Sequence, residues 1–127
     1  MSDNIRILLV DDHATTRIGL AALLRREQSF EIVGEAADGQ AAVELAGELL
    51  PDIVIMDIFL PKKNGIDATR QIVESYPDTK VIGISMHPGS SVVTAMQEAG
   101  AVACINKSDP SESLISAINA CKPRELN

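Results

Sequence analysis

The chain has 127 residues, enough for one domain with a single buried core, and 46% of them are hydrophobic. Aromatic residues make up only 2% and Trp is absent, so Val, Ile, Leu and Ala must build the core, and little is left for stacking bases or a flavin ring. A formal charge of −7 repels nucleic acid and anionic lipid, which argues against direct DNA or membrane-surface binding by this segment.

Strand-like and helix-like stretches alternate along the chain. Ile5–Val10 is an apolar run and reads as the first strand; it ends in Asp11-Asp12. Residues 13 to about 26 carry Ile18, Leu20, Leu23 and Leu24 at helical spacing. One of Asp11 and Asp12 is also expected to cap this helix. Residues 30–34 read as a short strand, Asp38-Gly39 as a turn and residues 41–50 as a helix stopped by Pro51. Ile53–Asp57 is a third strand, apolar until its terminal carboxylate, and residues 61–65 form a loop. A helix follows over residues 66–76, then a strand over residues 81–85. Pro88-Gly89-Ser90 opens a helix that Gly100 closes. Residues 102–105 are a fifth strand, and Asp109-Pro110 starts a last helix that runs to about residue 120.

Five βα units imply an α/β fold: a doubly wound, five-stranded parallel sheet of flavodoxin-like (βα)5 type, strand order 2-1-3-4-5, with helices on both faces. Residues 1–121 are expected to form the domain, and 122–127 a polar tail or the start of a linker. Cys104 and Cys121 lack CxxC spacing and read as free thiols of a reducing compartment. No apolar stretch reaches membrane-spanning length and the first residues are polar, so a cytoplasmic location without a signal peptide is expected.

Ligands of open α/β sheets bind at the carboxyl edge of the strands. There the chain offers Asp11 and Asp12 from strand one, Asp57 from strand three, Ser85 from strand four and Lys107 just past strand five. Strand two offers nothing obvious. Three converging carboxylates repel one another, and a hard divalent cation with oxygen ligands, Mg²⁺, relieves that repulsion. The chemistry suggested is phosphoryl transfer onto Asp57, with Lys107 and Ser85 serving phosphoryl oxygens. His13 and His87 are far apart in sequence and make a poor zinc set; surface or capping roles are expected. Lys62-Lys63 is expected to be a solvated pair.

These residues, with Pro61 and Gly65 after Asp57, resemble the receiver domains of two-component response regulators over essentially the whole chain. Val10-Asp11-Asp12-His13 with Arg17, Gly19-Leu20 and Leu23-Leu24 is similar to the subfamily with LuxR-type helix-turn-helix output domains. So are Ala37-Asp38-Gly39 and Ser85-Met86-His87. The resemblance implies a switch, not a turnover enzyme. A sensor histidine kinase or histidine phosphotransfer protein donates to Asp57. Asp12, Asp57 and the Phe59 backbone carbonyl hold Mg²⁺, with Asp11 acting through water. The start of the first helix (Ala14, Thr15, Ile18) and residues 107–110 meet the kinase. Phosphorylation favours a homodimer, and the output is transcription through a DNA-binding domain outside this chain. Many receivers carry an aromatic residue where Cys104 stands, so switching is expected to rely on Ser85 and the loop of residues 86–91.

Alternatives are a stand-alone receiver that relays phosphate or binds a partner, and a small phosphatase with Asp57 as nucleophile. Against the phosphatase, Phe59 occupies the place of the second acid. A nucleotide or flavin binder lacks its glycine-rich loop here.

Overall fold

The structure, a computed structural model, describes residues 4–86, 89–106 and 111–121. The elements in chain order are β1 (Ile5–Val10), α1 (Ala14–Arg25), β2 (Phe30–Ala36), α2 (Gly39–Leu49), β3 (Ile53–Asp57), α3 (Gly65–Ser75), β4 (Lys80–Ser85), α4 (Ser90–Ala99), β5 (Ala103–Asn106) and α5 (Ser111–Ala120). All strand pairs are parallel and the sheet order is β2-β1-β3-β4-β5. The doubly wound fold expected from the alternating pattern is the one found.

Strand parity decides which helices cover which face. Leu8 and Val10, Val54 and Met56, and Val81 point toward one core, built with Ala42, Ala46, Ala68, Ile72 and Met96 of α2, α3 and α4. Ile5, Ile7 and Leu9, Ile53 and Ile55, and Ile82 and Ile84 point to the other, built with Leu20, Ala21, Leu24, Leu114 and Ile118 of α1 and α5. Residues i and i+2 of a strand share a face, so an unbroken apolar run serves both cores at once.

The elements end where local chemistry ends them. Asp38 caps α2 by accepting from the Ala41 N–H at 2.8 Å, and Asn64 caps α3 through the Asp67 N–H at 2.9 Å. Gly100, at φ 114°, closes α4 in the left-handed region that glycine tolerates. The N-cap residue of α1 is His13, and no side chain bonds into that turn. Neither Asp11 nor Asp12 is therefore the helix cap; Asp11 Oδ1 instead accepts the His13 N–H at 2.8 Å and tightens the bend between β1 and α1.

Several helix and strand limits shift by one or two residues from the sequence reading, β2 and β5 among them. β2 runs on to Ala36, because a bulge shifts the register between Ile7↔Ile32 and Leu8↔Gly34 and lets the strand continue past its apolar run. β5 begins at Ala103, with Val102 exposed ahead of it. The expected helix start at Asp109-Pro110, the tail of residues 122–127, and His87 and Pro88 lie outside the described residues.

Candidate functional site

Pairing in register places the strand ends side by side. Val10 is opposite Met56, Asp57 opposite Ile84, and Ser85 opposite Asn106. The chain therefore leaves the sheet at neighbouring points with Asp11-Asp12, Asp57 and Ser85 in hand. Asp11 and Asp57 are buried, and Asp12 is exposed at the mouth. One ligand atom from each of Asp11, Asp12, His13 and Asp57 lies within 4.8 Å of all the others. Three carboxylates and an imidazole drawn that close suit a divalent cation.

Ser85 is also buried, and its hydroxyl oxygen has no hydrogen-bond partner among the described residues. A buried hydroxyl without a partner costs about 1–3 kcal/mol, so the group is set to serve an acceptor that arrives from outside. The Phe59 N–H points back to Asp57 Oδ1 at 3.4 Å, which marks the backbone after β3 as a further donor beside the acid.

Two glycines hold this backbone. A Cβ on Gly65 would stand 2.2 Å from the Asp57 carbonyl oxygen, so only glycine lets α3 start directly against the end of β3; its N–H donates to the Ile58 carbonyl at 2.7 Å. A Cβ on Gly39 would stand 1.7 Å from the Lys63 carbonyl oxygen, so the loop is held equally close to the start of α2. Lys62 has φ 69° and its ammonium lies 3.7 Å from Asp38 Oδ2. The lysine pair read as solvated thus includes one residue tied to the α2 cap.

Arg17, part of the subfamily pattern, takes a supporting place for which sequence reading gave no reason. Its guanidinium donates to the Asp11 carbonyl oxygen at 2.5 Å and to Glu35 Oε1 at 3.1 Å. The Asp11 N–H donates to the Ala36 carbonyl at 3.0 Å. Strand two, expected to bring nothing, thus steadies the acid pair through Glu35. His13, expected at the surface or in a capping role, is exposed at the N-cap position of α1, and its Nδ1 also stands 3.1 Å from Asp12 Oδ1 and 3.4 Å from Asp11 Oδ1, an approach the sequence did not suggest. Lys107 lies outside the described residues. A cavity of about 290 Å³ opens at the opposite, amino edge between Leu50, Pro51, Tyr76 and Thr79, away from these groups.

A doubly wound parallel sheet with an acidic pocket at its carboxyl edge defines the class. The chain belongs to the response regulator receiver domain family, whose model matches residues 7–119. It is 40% identical over 116 residues to the transcriptional regulatory protein DegU of Brevibacillus brevis, covering 91% of this chain and 49% of that protein. The crystal structure of a LuxR-family two-component response regulator from Aurantimonas sp. SI85-9A1 aligns at TM-score 0.87 and 40% identity, over 92% of this chain and 84% of that one. A CheX-CheY-BeF3-Mg+2 complex from Borrelia burgdorferi aligns at TM-score 0.85 and 29% identity, over 91% of this chain and 87% of that one. The chain spans about half the length of the curated relatives it matches. Among the described residues no helix is long and apolar enough to cross a membrane.

Proposed function

We propose that the chain is a phosphoacceptor switch in which Asp57 takes a phosphoryl group from a phosphohistidine of a sensor histidine kinase or histidine phosphotransfer protein. The observation that carries this is a buried Asp57 inside a carboxylate cluster, one strand away from a buried Ser85 hydroxyl that lacks a partner among the described residues. The Borrelia receiver solved with BeF3 and Mg+2 supports the same use of this fold.

An oxygen of the Asp57 carboxylate attacks phosphorus, the bond from phosphorus to the donor imidazole nitrogen breaks, and its electron pair returns to that nitrogen. Ser85 donates its hydroxyl to one phosphoryl oxygen and the Phe59 region offers backbone N–H to another. Lys107 supplies an ammonium. Asp12, Asp57 and the Phe59 carbonyl are the groups that would hold Mg²⁺, with Asp11 behind them. When bound, Mg²⁺ supplies charge neutralisation at the transferring group. Arg17 keeps Asp11 in place from below.

Ser85 moves to its new acceptor and draws the start of the loop before α4 with it, so the change reaches α4, β5 and α5. Cys104, half-buried beside Gly83, leaves this side without the usual aromatic partner. Ala14, Thr15 and Ile18 are exposed at the start of α1; we assign them, with residues 107–110, to the kinase-facing rim. We assign residues 1–121 to the receiver domain and residues 122–127 to a polar tail or the start of a linker. The DegU-like relatives favour transcription as the output, through a DNA-binding domain beyond this chain.

The test is intact-protein mass after incubation with Mg²⁺ and acetyl phosphate, beside Asp57→Asn and magnesium-free controls. One added phosphoryl group that needs both Asp57 and Mg²⁺ is expected. Phosphate release without an adduct and without dependence on Asp57 would return the chain to the phosphatase reading.

A further inference from the structure

We propose that His13 is a nitrogen ligand of the acidic pocket, so that the site selects transition-metal cations as well as Mg²⁺. The inference deepens the receiver reading and rests on it. His13 directly follows the acid pair and is the N-cap residue of α1. The Asp11 carboxylate holds its backbone N–H at 2.8 Å, which fixes the bend from which the imidazole projects. The ring stays at the pocket. Its Nδ1 lies 3.1 Å from Asp12 Oδ1 and 3.4 Å from Asp11 Oδ1, and a ring nitrogen lies within 4.8 Å of an Asp57 oxygen.

Donors that share a small divalent ion sit about 2.0–2.2 Å from it, so adjacent ones stand roughly 3 Å apart in octahedral arrangement. The His13 to Asp12 and Asp11 spacings have that size. An ordinary ion pair of imidazolium with carboxylates has similar spacing, and it makes the opposite prediction for cation affinity. Chemistry separates the two. Imidazole nitrogen suits Cu²⁺, Ni²⁺ and Zn²⁺, whereas Mg²⁺ prefers carboxylate, carbonyl and water oxygen. A fourth donor of this kind raises affinity for the former group and leaves Mg²⁺ nearly unaffected. The imidazole is exposed at the mouth, so it closes on an ion without disturbing the core.

The experiment uses the full chain, with His13→Ala and His87→Ala, since the sequence holds two histidines. Calorimetric titration with Ni²⁺ and with Mg²⁺ gives the affinities, and electron spin-echo of bound Cu²⁺ reads imidazole nitrogen in its coordination shell. His13→Ala is expected to weaken Ni²⁺ by about tenfold or more and Mg²⁺ by less than about threefold, as loss of one borderline nitrogen donor requires. The nitrogen modulation should vanish in His13→Ala and persist in His87→Ala. Unchanged Ni²⁺ affinity, a modulation that follows His87, or an equal fall for both ions would overturn the assignment. A rise for both ions would show His13 to be a competing cation, and would overturn it too. The Asp57 phosphoryl adduct is measured on the same samples. An adduct without the nitrogen signal rejects the His13 ligand alone, while the signal without an adduct keeps the metal site and rejects the phosphoacceptor role of Asp57.

Discussion

Close approach governs single positions around Asp57. Gly65 has no room for a methyl group, because backbone atoms of Asp57 and Ile58 lie 2.2 and 2.7 Å from where it would stand. Gly65→Ala is expected to cost about 1–3 kcal/mol, the usual penalty of overpacking against backbone, and to push α3 away from the acid. Urea denaturation measures the first and Mg²⁺ titration the second; unchanged values for both would contradict the clamp. Individual residues were unevenly legible in the sequence. Asp11, Asp12, Asp57 and Ser85 stood out because each ends an apolar run, and a strand end fixes position without knowledge of the side chain. His13 did not, since whether an imidazole turns toward or away from its neighbours depends on the bend at the start of α1. The free hydroxyl of Ser85 was equally hidden, because satisfaction of a hydrogen bond is a property of surroundings.

The central strands were readable for the reason that makes them central. β1, β3 and β4 are largely buried on both faces and show as the apolar runs Ile7-Leu8-Leu9-Val10, Ile53-Val54-Ile55-Met56 and Val81-Ile82-Gly83-Ile84. The edge strands are half-buried, and their limits blur. β2 continues past Gly34 through Glu35 and Ala36, carried by a bulge that no local pattern announces. That extension brings Glu35 to Arg17, eighteen residues away in sequence. Arg17→Met keeps the aliphatic stem but removes the bond to the Asp11 carbonyl. A charged donor to a partly buried carbonyl contributes about 1–2 kcal/mol, so that loss is expected in chemical denaturation. Glu35→Gln should cost less than about 1 kcal/mol, since Glu35 faces solvent. If the two variants proved equally harmful, the support would lie in the ion pair and not in the Asp11 contact.

Across the molecule, both thiols are withdrawn from ionisation. Burial pushes the Cys104 thiol above its ordinary range. Burial also raises Cys121, with the Lys80 ammonium pulling the other way. The folded state therefore prefers protonated thiols. Stability held below the unfolded thiol pKa, about 8.5, is lost as pH rises through the higher folded values. Iodoacetamide labelling at pH 8, followed by mass, should be slower in the folded chain than in urea at both cysteines. Equal rates at Cys104 in the two states would refute its burial beside Gly83 and Met96. The fold as a whole was legible because the alternation of runs and helical spacing leaves few topologies open.

The sheet also parts the apolar interior into two clusters with no buried residue in common. Substitutions on opposite sides, Ile72→Val beneath α3 and Leu114→Val beneath α5, share no partner and should add in free energy. The domain is thus two half-proteins bonded to one plate. The α1 and α5 side can be reshaped for a new partner while the side under α2, α3 and α4, which seats the loop after Asp57, is inherited unaltered.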